Sequence, residues 1–323
     1  MARPPETPED FRVDEIPLYP ATGEGTHTFV HVEKRLRTSD EVARDLARAA
    51  GVRPAEIGYA GRKDRLAVAT QWFSVPGLDP ARALEIDVAG VRVLDAARHG
   101  HKLRTGHLRG NAFRITVRDV SEVAFETAAR RLEAITAGGM PNRFGAQRFG
   151  RDGANAERGA ELLRGGAAPR DRRQARFLLS ALQARVFNAV LETRIGALGA
   201  LERGDLALLH ASGGMFVVED PQAECERART FELSPTGPIF GTRAPAPKYG
   251  VAEREAQVLA AQGVPATLKP PRGIRLRGAR RALRVRPGSA RLERDSDAVV
   301  LHFTLPSGSY ATLLMDELFG GFG

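Results

Sequence analysis

Cysteine is almost absent from this chain of 323 residues, which has only Cys225. An intrachain disulfide and a cysteine-built metal centre are therefore excluded. Long apolar runs are missing as well. No stretch approaches the roughly 18 residues that a membrane-crossing helix needs. The amino end, MARPPETPEDF, has no apolar segment of the kind a secretory signal carries. These absences lead to the expectation of a cytoplasmic protein with no membrane partner. Lysine is scarce too, occurring only at positions 34, 63, 102, 248 and 269 among 48 basic residues.

What is present is arginine, hydrophobic residues at 42% and a net charge of +9. The apolar content suffices for a sizeable core, and the length suits one large domain or two ordinary ones. A basic surface favours polyanions, because neutralised phosphates release counterions. An arginine skew also follows from genome base composition, so charge alone leaves nucleic-acid binding an even choice.

The hydrophobic pattern gives strands at Phe11–Glu15 and Phe29–Lys34. Thr38 and Glu41 form a capping box for a helix ending near Gly51. Short strands are expected over Glu56–Ala60 and Ala67–Val75, on either side of a tight loop, Gly61-Arg62-Lys63-Asp64-Arg65. Phe113, Ile115 and Val117 alternate with Arg114, Thr116 and Arg118, the mark of a half-buried strand with a cationic outer face. A helix follows from Ser121 to the Gly138-Gly139 pair. Helical pattern then dominates over Ala154–Leu163, Gln174–Ile195 and Ala252–Gln262. Strand pattern returns at Arg281–Val285 and Val299–Leu305, and a last helix covers Tyr310–Leu318. The expected fold class is α+β.

Several segments carry chemistry. In Gly58-Tyr59-Ala60-Gly61-Arg62-Lys63-Asp64 the glycines are expected to permit a sharp loop. Cations flank Asp64 and would favour its ionised, nucleophilic form. Alone, a Lys-Asp pair in a loop is ordinarily a surface ion pair. The glycine spacing is not that of a phosphate-binding P-loop. Arg98, His99, His101, Lys102 and Arg104, with His107 and Arg109, read as a cationic loop: a phosphate track or a solvated surface. The histidines lack the cysteine or carboxylate that would complete a zinc set, and no metal ligand is assigned. Asn111 and Phe113 suit a uracil edge and a base face, although taken alone a turn asparagine and a core phenylalanine are the more common readings. Arg143, Phe144, Gln147 and Arg148 mix cations, rings and glycine as RNA contacts do, and also suit a hinge. Pro306–Thr312, with Ser309 and Tyr310, joins a strand to a helix N-terminus, which favours anions.

Taken in order, these pieces resemble the TruD family of tRNA pseudouridine synthases. They are Pro-Glu-Asp-Phe at 8–11, Ala-Gly-x-Lys-Asp at 60–64, Gln-Trp-Phe at 71–73, Ala-Arg-His at 97–99 and Lys-Leu-Arg at 102–104. Gly-Asn-Ala-Phe at 110–113, Pro-Asn-x-Phe-Gly-x-Gln-Arg-Phe-Gly at 141–150, Leu-Ser-Ala at 179–181 and Leu-Pro-x-Gly-Ser-Tyr-Ala-Thr at 305–312 complete the set. The resemblance spans almost the entire chain. It departs at Arg62, where an uncharged residue is common, and at Asp316, where many members have arginine.

The resemblance implies isomerisation of uridine in tRNA, at position 13 in the family's best-known members, with Asp64 as nucleophile and no metal or organic cofactor. It implies a V-shaped molecule. A catalytic domain with a mixed, largely antiparallel sheet would cover residues 1–140 and 285–323, interrupted by a mostly helical insertion domain over 141–284. Asn111 and Phe113 match active-site positions, Phe113 lying beside the target base. Lys63, Arg98, His99, Lys102, Arg104, Arg143, Phe144, Gln147, Arg148, Ser309 and Tyr310 are expected RNA contacts. A monomer is expected without RNA. The competing expectation is a catalytically silent RNA-binding or RNA-folding protein.

Overall fold

The computed structural model describes residues 3–296 and 298–321. Backbone packing divides it into two compact units, residues 1–132 with 287–311 and residues 133–286 with 312–323. The chain enters the first unit through strand β1 (Phe11–Pro17) and β2 (His27–Lys34), then helix α1 (Ser39–Ala50). Two-residue β3 (Gly58–Tyr59) and long β4 (Val68–Pro76) enclose the 60–67 loop. Short α2 (Pro80–Leu84), β5 (Val91–His99), β6 (Leu108–Val117) and α3 (Glu122–Gly138) follow, and the division between units falls inside α3.

The second unit holds β7 (Met140–Pro141), α4 (Asn155–Leu163), α5 (Arg172–Glu192), β8 (Leu206–Leu209), β9 (Met215–Val217), α6 (Pro221–Arg229), β10 (Leu233–Ile239), α7 (Tyr249–Ala261), β11 (Ala279–Ala282) and β12 (Arg284–Val285). The chain then returns to the first unit with β13 (Gly288–Asp295) and β14 (Ala298–Pro306), and α8 (Ala311–Phe319), from residue 312 on, is counted with the second unit.

In the first unit the sheet runs β13-β14-β6-β1-β4-β2-β5, with β3 paired to β4. Only β1 and β4 run parallel; the other pairs are antiparallel. The fold is thus α+β around a mixed, largely antiparallel sheet. Cross-strand partners point to one side. Val13 opposes both Phe113 and Ala69, Phe113 opposes Phe303, and Val30 opposes Phe73. One face is therefore apolar across the width of the sheet.

Helix α1 covers part of that face because its own apolar positions recur at helical spacing: Val42 and Leu46 pack with Val30, Val32 and Phe73. The helix begins where Thr38 accepts from the Glu41 amide while the Glu41 carboxylate accepts from the Thr38 amide. It ends at Gly51, whose φ of 68° is left-handed, a conformation glycine adopts without penalty. In the second unit the mostly helical part rests on α5, whose Leu178, Leu179 and Leu182 pack with Ala160 of α4 and with Ile274 and Leu276. That unit also contains a four-stranded sheet, β11-β10-β8-β9.

Candidate active site

The apolar face of the first sheet is interrupted by polar side chains at inward register positions. Glu15 lies directly opposite Asn111, and Gln71 opposite Val32. Lys34 continues the inward row of Val30 and Val32. Glu15, Lys34 and Gln71 are all buried. Such burial is costly unless each group is partnered, and the partners converge on the loop at 61–64.

Each part of that loop is held. Gln71 Nε2 donates to the Gly61 carbonyl. The Lys63 amide donates to Ser39 Oγ at 3.0 Å, and the Ser39 hydroxyl donates to Gln71 Oε1 at 2.7 Å. The buried Lys63 ammonium donates to Asn111 Oδ1 and lies 3.5 Å from Glu15 Oε2. Glu15 Oε1 accepts from the Trp72 amide at 3.3 Å, whereas Oε2 has no hydrogen bond and faces the Lys63 ammonium. Lys34 Nζ donates to the Asp64 carbonyl at 2.6 Å. The Asp64 side chain itself is exposed. The result is a solvent-facing carboxylate on a backbone fixed from beneath, which removes much of the reorganisation a reacting group otherwise undergoes.

Electrostatics follow burial. Desolvation pushes the Glu15 carboxyl up, opposed by the Lys63 charge and the Trp72 amide. Desolvation pushes the Lys63 ammonium down, opposed by Glu15. Burial brings Lys34 down to about 8, with the Asp64 carboxylate pulling the other way.

The glycines act differently from the sequence expectation. Neither Gly58 nor Gly61 has a left-handed φ. A Cβ at Gly61 would meet nothing, whereas one at Gly58 would lie 2.3 Å from the Leu103 carbonyl oxygen. Gly58 is thus required for close approach of two segments, not for turning the loop.

Lys63 ties the Asp64 loop to β6, and the strand brings Phe113 onto the same face two residues after Asn111. Phe113 is 9% exposed. Its ring stacks on Phe303 at 4.9 Å and meets Phe11 edge-on at 6.1 Å. Leu305 and Pro306 pair with Asn111 and Gly110, and the Ser307 amide donates to the Arg109 carbonyl. The turn carrying Ser309 and Tyr310, both half-buried, therefore leaves the sheet beside Asn111.

The cationic segment at 98–109 is only partly a loop. Arg98 and His99 end β5. His99 is buried, stacked on Tyr19 at 5.4 Å and packed on Phe29 at 4.0 Å. Its Nε2 lies 3.3 Å from His101 Nε2, and Tyr19 Oη lies 2.6 Å from His107 Nδ1. His99 is thus part of an aromatic cluster. Arg98 lies 3.6 Å from Asp79, Lys102 Nζ donates to the Ala55 carbonyl, and Arg104 is exposed. Among the described residues no group of three or more His, Cys, Asp or Glu side chains is arranged to hold a metal ion, and no helix is long and apolar enough to cross a membrane.

Arg143, Phe144, Gln147 and Arg148 belong to the second unit. Arg143 pairs with Glu192, Phe144 is bracketed by the Asn188 amide, and the Arg281 guanidinium lies 4.3 Å over the Phe144 ring. Arg148 stands 5.7 Å from the same ring and Gln147 is exposed. Sequence reasoning missed Glu15, Lys34, Ser39 and Gln71. The signal for three of them was available: a polar residue where the period-2 pattern calls for an apolar one.

The family model described as tRNA pseudouridine synthase D (TruD) matches residues 5–170 and 169–318. Among curated proteins named tRNA pseudouridine synthase D, that of Anaeromyxobacter dehalogenans is 43% identical, covering 97% of this chain and 91% of its own. That of Thermus thermophilus is 42% identical, covering 96% and 86%. That of Geobacter metallireducens is 37% identical, covering 98% and 94%. The fold is shared with the crystal structure of the putative tRNA pseudouridine synthase D of Methanosarcina mazei, at a TM-score of 0.75 and 24% identity over 98% of this chain and 93% of that one. The chain belongs to the TruD family.

Proposed function

We propose that the protein converts uridine to pseudouridine in tRNA, at uridine 13, with Asp64 as nucleophile. The names of its relatives supply the reaction and substrate class. The observation that carries the residue assignment is the exposed Asp64 carboxylate on a loop whose backbone is fixed by Gln71, Ser39 and Lys34 and whose neighbouring Lys63 reaches Asn111.

The reaction breaks the N1–C1′ bond, turns the base and forms a C5–C1′ bond. C5 loses its hydrogen as a proton and N1 gains one, so product and substrate are isomers and no co-substrate enters the balance. A carboxylate suits both routes into this sequence, attack on the sugar carbon or on the uracil ring. The uridine first leaves its stack, at a cost of a few kcal/mol. Asn111, its Oδ1 turned towards the Lys63 ammonium, presents its amide hydrogens to a carbonyl of the base. Phe113, with Phe303 behind it, offers an apolar edge beside the ring.

Incubation with unmodified tRNA, followed by carbodiimide mapping, is expected to give a single pseudouridine at position 13. Asp64→Asn should abolish the product and leave tRNA affinity near that of the wild type. Near-normal product from the purified variant would remove Asp64 from the mechanism, and a modification elsewhere in the tRNA would remove the position.

A further inference from the structure

The second unit gathers arginines that have nothing to pair with. Several guanidiniums of that unit are matched: Arg194 with Asp205, Arg227 with Glu224 and Glu232, Arg229 with Glu226, Arg254 with Glu202, Arg280 with Glu255. Arg243, Arg275 and Arg277 differ from these in sharing one surface depression. They line one concavity of about 680 Å³, together with Thr242, Pro270, Ile274, Leu276 and Gly278 and no acidic residue. All three are exposed, and their side chains make no ion pair or hydrogen bond among the described residues.

The local backbone forces this arrangement. Ile274 and Leu276 are buried against α5, so Arg275 and Arg277, one residue out of phase, face outward. The segment is knitted to 242 by the Thr242 amide donating to the Leu276 carbonyl and the Gly278 amide donating to the Thr242 carbonyl. Buried Gln183 donates from below to the Phe240 carbonyl at 2.6 Å. Gly241 and Gly278 approach so closely that a Cβ on Gly241 would lie 2.5 Å from the Gly278 nitrogen. Arg243 follows with a left-handed φ of 64°, a costly conformation for a side chain of this size.

A further cation adjoins the segment. The Arg172 guanidinium lies against Gly273, where a Cβ would stand 3.3 Å from Arg172 Cζ. Arg172 and Arg173 occupy the first turn of α5, which holds no acidic residue. Cations are unfavourable at that end of a helix. The adjacent carboxylate, Asp171, caps the helix by accepting from the Arg173 amide. Three guanidiniums lining one depression with no acidic side chain in its lining favour an anion there.

We propose that this arginine concavity is a second RNA-binding site, taking the phosphodiester backbone of the tRNA at a place separate from the Asp64 loop. The proposal rests on the reading of the protein as a tRNA-modifying enzyme. Guanidinium forks match phosphate oxygens. The apolar floor of Pro270, Ile274 and Leu276 suits a sugar or base edge. An open groove without a glycine-rich phosphate loop fits a polymer better than a free nucleotide.

The test uses the full chain with Arg243, Arg275 and Arg277 all changed to Gln, and measures Kd for unmodified tRNA between low and moderate salt. The affinity is expected to fall roughly tenfold or more, and the slope of log K against log salt to lose about two to three units. The single-turnover rate at saturating tRNA should stay unchanged. A control variant, Arg44→Gln with Arg82→Gln and Arg130→Gln, removes equal charge elsewhere and should change the slope by less than one unit; an equal loss there would overturn the site. The Arg→Lys version of the pocket triple should keep the slope, and a loss as large as with Gln would mark a structural effect and end the proposal. Competition by inorganic pyrophosphate or ATP separates the sources of phosphate. If either binds the wild type and not the triple variant, while tRNA binding is the same for both, the pocket is a small-anion site and the RNA proposal fails. Wild-type protein that makes no pseudouridine would refute the catalytic reading and leave this binding measurement standing.

Discussion

Glu15 and Lys63 form a buried ion pair whose value depends on both members being present. Removing one leaves an uncompensated charge in a poorly solvated place. Glu15→Ala is expected to cost roughly 3–5 kcal/mol of stability, while Glu15→Gln, which keeps an oxygen for the Trp72 amide, costs less. Both should lower the single-turnover rate more than the tRNA affinity, since the lost partner holds Lys63 and, through it, Asn111. Urea unfolding alongside a filter-binding assay checks this, and a Glu15→Ala protein of wild-type stability would refute it. Lys34 gives a pH prediction. Its pKa is about 8 in the folded chain against 10.5 ordinarily, so between these values the unfolded chain holds more protons and stability rises with pH. Below pH 8 both states are protonated and the cost of burying the ammonium persists. Relative to Lys34→Met, the wild type should therefore gain stability from pH 7.5 to 10.5, by up to about 3 kcal/mol. Parallel unfolding curves for the two proteins across that range would contradict it.

Elements turn these residue effects into a site. Ser39, which holds the Lys63 amide, is the first residue of α1, so the cap that starts the helix also sets the loop. Thr38→Ala is expected to cost about 1 kcal/mol and to lower the isomerisation rate as well; a stability loss with no change in rate would separate cap from loop. Much of the first unit was legible in the sequence. The α1 capping box, the alternation of Phe113, Ile115 and Val117 and the returning strand at Val299–Leu305 are local signals, and each stands in the structure as α1, β6 and β14. Strand β5 was not legible because it is an edge strand with little burial contrast along its length. Strand β10 was hidden by Pro235 and Pro238, which argue against a strand. In the ladder, 233–235 pair with β8 and 236–239 with β11. The Lys63-Asp64 motif could be read from the sequence. Its supports could not be read as a set, because they come from positions 15, 34, 39, 71 and 111 and meet only through strand register and the docking of α1 on the sheet.

At the scale of the molecule, charge and chemistry reside in different kinds of residue. The net charge of +9 predicts that tRNA affinity falls steeply with salt, with a log-log slope of roughly −0.9 per neutralised phosphate, while the rate at saturation stays flat. Titration of binding and single-turnover rate over the same salt series checks this, and a salt-independent affinity would contradict it. Arginines confer polyanion affinity on a chain in almost any conformation, folded or not. The Asp64 carboxylate, the proposed nucleophile, has no such latitude: its loop is set only after segments far apart in the chain have registered in one sheet. A nascent or misassembled copy would therefore capture RNA and release it unchanged, so that the chemistry itself certifies that the sheet has closed.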